Sequence, residues 1–273
     1  MNRILYAIMA FSVSTAFSVP WQPMFNGKDL TGWTADTTTW RVKDGYIQGG
    51  LKSQPTNNFI VYTAKKSYSN FFLKAKVYLG TRPGFINGGI QYRSVPVPFQ
   101  GKTGYQEAVG YQADMGPGYW GVLYDEGGRN KILQTVLSPK CEVSNNAWHD
   151  YTIIADHDTL THLLDGTTCT HFVDTDAAAR DSSGAIALQV HSSADFEVRY
   201  KDLYITETLS GCKDKKFVNY DSTAYRHDQA LCKTPVSTSL RKADGSKRSS
   251  IRKPRSAEYR DRRADGKYFE RDL

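Results

Sequence analysis

The 273 residues carry 35 Lys+Arg against 28 Asp+Glu, a net charge of +7, with 17 Tyr, 12 Phe, 5 Trp and only four Cys. The excess is local: residues 210–273 carry a net +8 and the remainder a net −1. The basic character is therefore that of a tail, and a nucleic-acid-binding reading of the whole protein loses its support. Beyond residue 19 no stretch approaches the ~20 consecutive apolar residues of a membrane helix.

Taken in chain order, Arg3 followed by an apolar run from Ile4 to Val19 reads as a secretory leader. Ala16 and Ser18 stand at the small-residue positions before a cleavage point ahead of Val19. A buried N-terminal strand or a retained anchor is the alternative. The expected boundaries are a leader over 1–18, one domain over 19–209 and a basic extension over 210–273. A leader also implies a secreted, periplasmic or cell-envelope location, where the even number of cysteines reads as disulfides. Four cysteines allow three connectivities, of which Cys141–Cys169 and Cys212–Cys232 is the pairing preferred.

Between about Trp21 and Leu209 the pattern is one of short strands separated by Gly, Asn, Asp and Pro. Phe71, Leu73, Ala75, Val77 and Leu79 alternate with Phe72, Lys74, Lys76 and Tyr78, the period of a half-buried strand. Tyr151 to Ala155, Leu160 to Leu164, Thr167 to Val173, Ile186 to His191 and Phe196 to Lys201 read the same way, with Asp165-Gly166 as a hairpin turn. Many short antiparallel strands predict an all-β, two-sheet sandwich of the jelly-roll type. After Leu209 the alternation stops. Ser237 to Arg263 is too poor in large apolar residues to build a core and is expected to be disordered. The loop between Cys212 and Cys232 contains Phe217 and Tyr220 and has the means to dock on the sandwich.

Residues i and i+2 of a strand share a face. Gln91 with Arg93, Gln112 with Asp114, and Gln189 with His191 are thus three polar pairs flanked by apolar neighbours. Gathered on one concave sheet they offer amides, a carboxylate, a guanidinium and an imidazole to a polyhydroxylated ligand. The alternative is the ordinary solvated face of an antiparallel sheet. Tyr119, Trp120 and Tyr124 either stack on a sugar at the rim or belong to the core. Asp125 and Glu126 are poor partners for each other because adjacent strand residues face opposite ways. His149, His157, His162 and His171 have no compelling ligand spacing and read as structural or surface residues before metal ligands, and no nicotinamide or phosphate-binding motif appears.

The segment Gly110 to Arg129 resembles the central motif of the 3-keto-disaccharide hydrolase (3-keto-glucoside lyase/hydratase) family. Phe25 to Trp33, Trp40 to Ile47, Asn87 to Arg93, Ala147 to Ile153 and Gly184 to His191 stand in the order that family shows. The resemblance spans about Phe25 to Leu209 and implies a concanavalin A-like jelly roll. One departure matters. The family often carries Tyr-Glu-x-Gln on the central strand, whereas this chain has Tyr111-Gln112-Ala113-Asp114, the carboxylate displaced by two positions on the same face.

The resemblance implies an oligosaccharide or glycoside substrate oxidised at C3, cleaved by β-elimination and hydration. Such chemistry needs a base, a donor for the enolate oxygen and an acid for the leaving group. The expected roles are His191 as base, Arg93 as oxyanion or substrate clamp, and Asp114 as orienting partner or acid. Gln91, Gln112, Gln189, Tyr111, Trp120 and Tyr124 are the expected sugar contacts. No organic cofactor is expected; the resemblance leaves room for a divalent cation that the sequence does not locate. A lectin-like binding module is the rival reading, and a surface protein using its basic tail on an anionic surface or polysaccharide is a third.

Overall fold

The computed structural model describes residues 20–51, 55–192, 195–222 and 224–235. The expected leader and the Ser237 to Arg263 stretch lie outside these. The strands in chain order are β1 (Gln22–Pro23), β2 (Trp33–Thr34), β3 (Trp40–Lys43), β4 (Tyr46–Gly50), β5 (Asn58–Tyr62), β6 (Phe71–Leu79), β7 (Gly88–Pro98), β8 (Tyr105–Met115) and β9 (Leu123–Glu126). They continue as β10 (Lys131–Gln134), β11 (Trp148–Asp156), β12 (Thr159–Leu164), β13 (Thr167–Val173), β14 (Ala185–Val190), β15 (Glu197–Thr206), β16 (Ser210–Gly211) and β17 (Arg226–His227). Two short 3₁₀ turns are the only helical pieces among the described residues.

All but β16 and β17, which pair in parallel with each other, form two large antiparallel sheets. One runs β13-β12-β11-β6-β15-β4-β3, with β1 added on β15; the other runs β10-β9-β8-β7-β14-β5-β2. This is the expected jelly-roll sandwich. Strand parity supplies the core: Phe71, Leu73, Ala75, Val77 and Leu79 of β6 all point inward, facing Ile90, Tyr92, Tyr111, Ala113, Ile186, Leu188 and Val190 from the other sheet. Burying such side chains stabilises the pairing of the sheets by about 1.5–3 kcal/mol each, before the entropy of ordering is set against it. Buried tyrosines retain polar partners: the Tyr200 hydroxyl lies 3.1 Å from the Gly89 carbonyl and 2.9 Å from that of Gln189. Cys141–Cys169 and Cys212–Cys232 are both bonded.

One feature of the second sheet shapes everything on its outer face. The long β7–β8 hairpin does not run straight. Irregular register between Tyr92 and Val95, with Arg93 in left-handed backbone at φ 50°, bends it. Gly110 lies opposite at φ 144°, where a Cβ would stand 2.8 Å from Ser94 Oγ. The arm beyond the bend swings back until Tyr105 pairs with Phe59 on β5, although β7 and β14 separate β8 from β5 in the sheet. The strands β8, β7, β14 and β5 thus close into a ring. Its interior is a small second core of Phe59, Val61, Ala108, Ala185 and Ala187, with Tyr105 packed against it. The arm is anchored at its tip by Lys102, whose Nζ lies 2.8 Å from Asp36 Oδ2.

Residues 210–235 are folded where they are described. Leu209, Cys212 and Ala224 are buried. Tyr225 meets Phe72 edge-on with ring centroids 6.3 Å apart, and Arg226 reaches Asp156 at 3.0 Å. The Cys212–Cys232 loop therefore lies on the first sheet.

Candidate functional site

At the mouth of the ring a depression of about 190 Å³ is lined by Phe85, Asn87, Gln112, Asp114, Tyr119, Tyr124, Glu126 and His191. Beside it, and sharing His191, a second depression of about 410 Å³ is lined by Thr56, Asn57, Gln106, Glu107 and Ser192. Gln106 and Glu107 come from the folded-back arm, which makes that arm one wall of the site.

Its floor is an amide bridge. Gln112 on β8 donates from Nε2 to Gln189 Oε1 on β14 at 2.6 Å, crossing over β7. The crossing is open only because position 89 on β7 is glycine, where a Cβ would stand 2.5 Å from Gln112 Nε2. Gln91 shares this face but lies deeper, fully buried, with neither Nε2 nor Oε1 meeting a hydrogen-bond partner.

Asp114 and His191 both meet Asn87. Its side-chain Nδ2 donates to Asp114 Oδ1 at 2.7 Å, and its backbone carbonyl accepts the backbone N–H of His191 at 3.1 Å. Asp114 Oδ1 also accepts the Met115 N–H at 2.9 Å. Both hydrogen bonds fall on Oδ1, leaving Oδ2 for the depression. Burial pushes the Asp114 carboxyl up to about 7, against the opposing pull of those two hydrogen bonds.

His191 Nδ1 lies 2.7 Å from the Ser192 carbonyl. A carbonyl only accepts, so Nδ1 carries the proton and the neutral ring keeps its lone pair on Nε2. Its ring packs edge-on against Phe85, centroids 5.0 Å apart. Phe85 is itself 49% exposed and also meets Tyr119 at 5.9 Å, forming an aromatic rim.

A second carboxyl with a raised pKa faces the same space. Glu126 is pushed up to about 7 by burial first and then by the charges of Glu107 and Asp114, with hydrogen bonding to Gln189 acting against the shift. Glu107 on the arm is raised by burial as well. Asn57 Nδ2 approaches Glu126 Oε1 at 3.5 Å. Strand parity had separated Asp125 from Glu126, and the structure does the same: Asp125 points inward to Arg129, while Glu126 points out. What the sequence reading missed is that Glu126 finds its partners across strands, in Asp114 and Glu107. Tyr124 and Glu126 share a face at i and i+2, and that was the available signal. Asn87 was marked only as the first residue of a motif that carries the family resemblance, and Phe85, Asn57 and Glu107 carried no signal.

Of the expected site residues, His191, Asp114, Gln112, Gln189 and Tyr124 come together here, with Gln91 beneath them. Three do not. Arg93 is 1% exposed and lies outside the depression, because the bend turns it away from the Gln91 face. Its guanidinium is taken by the carbonyls of Ser69 at 2.8 Å, His157 at 2.8 Å and Asp181 at 3.2 Å. Tyr111 faces inward, as the outward aim of Gln112 requires, and its hydroxyl donates to Asp174 Oδ2 at 2.5 Å. Trp120 is 1% exposed and packs in the core against His149 at 5.7 Å. Arg129 pairs with Asp125 and, at 2.6 Å, with Asp174, so this charge network ties a loop to the sandwich away from the depression. Among the described residues no three His, Cys, Asp or Glu side chains converge as metal ligands.

Fold and site together define a concanavalin A-like jelly roll with a small acidic and aromatic depression at the mouth of its curled sheet. The chain belongs to the 3-keto-alpha-glucoside-1,2-lyase-like domain family, whose pattern matches residues 20–206. That places it among carbohydrate-active proteins. No curated protein sequence matches it. A Parabacteroides distasonis ATCC 8503 protein provisionally assigned as a glycosyl hydrolase is 21% identical, with 68% of this chain and 93% of that one covered and a TM-score of 0.48. The carbohydrate-binding module CBM66 from Bacillus subtilis is 18% identical over 64% and 95% of the two chains, also at 0.48. SCLam, a non-specific endo-beta-1,3(4)-glucanase of family GH16, is 11% identical over 70% and 93%, at 0.44.

Proposed function

We propose that this protein cleaves 3-keto-glycosides by β-elimination, followed by addition of water. The carbonyl at C3 acidifies the hydrogen on C2. His191 Nε2 takes that proton, and the electron pair left on C2 moves through the enolate to form the C1=C2 double bond. The C1–O bond breaks as it forms. The leaving oxygen takes a proton from Asp114 Oδ2, and water then adds across C1=C2 to give the 3-keto sugar. Glu126 is the second group able to hold or give a proton near neutrality, and the Gln112–Gln189 bridge holds hydroxyls. A base and an acid in such positions contribute typically 10²–10⁴-fold each.

The observation that carries this reading is the Asn87 clamp. The Asn87 side chain fixes a carboxyl raised to about 7 and its backbone carbonyl fixes the strand that carries a histidine with its lone pair on Nε2, both at a single depression. A sugar-binding module needs hydroxyl partners and aromatic rings but not that pairing. The test is incubation of the full chain with a 3-keto-disaccharide beside its unoxidised parent, following release of the leaving sugar. Release from the oxidised substrate alone is expected. Binding of either sugar with cleavage of neither overturns the reading in favour of a module.

A further inference from the structure

Two depressions meet at His191, and their linings differ in kind. The smaller carries rings: Phe85 and Tyr119 form its rim, and Tyr124 lies across from Gln112 on the neighbouring strand. Rings suit the C–H face of a pyranose. The larger has no ring among the described residues that line it. Thr56, Asn57, Gln106, Glu107 and Ser192 offer it hydroxyls, amides and a carboxyl.

Asn57 joins the two. Its Oδ1 accepts the Ser192 N–H at 2.9 Å, which fixes the chain just beyond His191, while its Nδ2 reaches towards Glu126 of the smaller depression at 3.5 Å. An aromatic or alkyl group laid over the larger depression would strip water from these polar side chains and return no hydrogen bonds, which is unfavourable. A polyhydroxylated unit returns them. The volumes agree with this division, about 190 Å³ for one sugar ring and about 410 Å³ for a second.

His191 fixes the direction. As the base for the hydrogen on C2, it holds C2 at the boundary, and C1, one bond away, stands there too. The glycosidic oxygen on C1 then leads across into the larger depression. We infer that the two depressions form one two-unit site: the 3-keto ring lies in the smaller, and the leaving group in the larger is a second sugar rather than an aromatic or alkyl alcohol, with Gln106 on the arm as a residue that selects it. The assignment rests on the proposed role of His191 as base.

The experiment compares a 3-keto-disaccharide with phenyl 3-keto-glucoside as substrates of the full chain. Phenol is the better leaving group, so a preference for the disaccharide has to come from contacts made beyond the scissile bond. The wild type should show kcat/KM at least about tenfold higher for the disaccharide. Gln106→Ala should lower that ratio roughly three- to tenfold, mostly through KM, and Gln106→Phe, which puts a ring into the larger depression, should lower it further. Gln106 is exposed, so neither variant removes a core contact. Titration with the unoxidised disaccharide and with phenyl glucoside, followed by NMR, separates the site from the chemistry. Cleavage of neither substrate, together with tighter binding of the disaccharide that Gln106→Ala abolishes, sinks the elimination and keeps the two-unit site. Equal turnover of both substrates, a preference for the phenyl glycoside, or a ratio unchanged in both Gln106 variants overturns the inference. So does an absence of cleavage with no preference in binding.

Discussion

Replacing Asp114 by Asn removes a charge from a site that resists it, and its effect on stability should depend on pH in a calculable way. In the folded protein the carboxyl titrates at about 7 rather than at its usual 3.8, because burial disfavours the anion. Between those values the unfolded chain releases its proton while the folded chain keeps it. The unfolded state is then favoured progressively, and wild-type stability falls as pH rises from about 4 to about 7. Above that range both states are ionised and the loss stays constant. At about 1.4 kcal/mol per pH unit the full effect is on the order of 4 kcal/mol, an upper figure because water entry and relaxation soften such penalties. The amide in the Asp114→Asn variant would mimic the protonated acid: its Oδ1 accepts from Asn87 and Met115, and its Nδ2 takes the place of the protonated oxygen. Denaturant unfolding of both proteins should show little difference at pH 4. At pH 8 the variant should be the more stable by up to several kcal/mol, even as it loses turnover. A gap that is the same at pH 4 and pH 8 would falsify the claim that Asp114 is held near neutrality by burial.

His191→Ala should lower turnover of a 3-keto-glycoside by about 10²-fold or more with its thermal midpoint unchanged, and a near-wild-type rate would remove His191 as the base. Asn87→Ala removes the side-chain donor to Asp114 while the backbone carbonyl keeps the N–H of His191; the pH–rate profile should shift along with the loss in kcat, whereas a purely structural role would leave the shape of the profile intact. Replacing Cys141 and Cys169 together by Ala opens a cross-link between residues 28 apart and should cost roughly 3 kcal/mol in denaturant unfolding. Peptide mapping without reductant should recover the two cysteines joined. Truncation after Thr234 should preserve the thermal midpoint and turnover while weakening salt-sensitive retention on an anionic matrix; unfolding of that truncation would place residues beyond 234 within the domain.

Much of this architecture can be read from alternation alone. The β6 pattern from Phe71 to Leu79 appears in the structure with its inward and outward residues as expected, because a two-residue period allows only one assignment of faces. The same rule gathers Gln112, Asp114 and Gln189 and correctly parts Asp125 from Glu126. It fails at Arg93, where a bulge breaks the period and sends the guanidinium to backbone carbonyls. Local spacing cannot reveal such a slip, which depends on how the far end of the hairpin packs. Glu107 and Asn57 were invisible for a related reason. Each reaches the site only because the sheet curls and the arm returns to β5, which is a tertiary event. Trp120 was open between rim and core, and the core prevailed.

The returning arm has a consequence for motion. It is fastened to the ring by a handful of apolar side chains, by the Tyr105–Phe59 bridge and by Lys102 at its tip, whereas the sandwich beneath it is closed by the far larger core. Segments with fewer buried contacts open at lower free energy than the body that carries them. Backbone amides of 99–107 should therefore exchange with solvent well before those of β6 or β14. Each such opening would carry Gln106 and Glu107 away from Asn57 and His191, so that the wall of the depression is assembled and dismantled while the sheets stay folded.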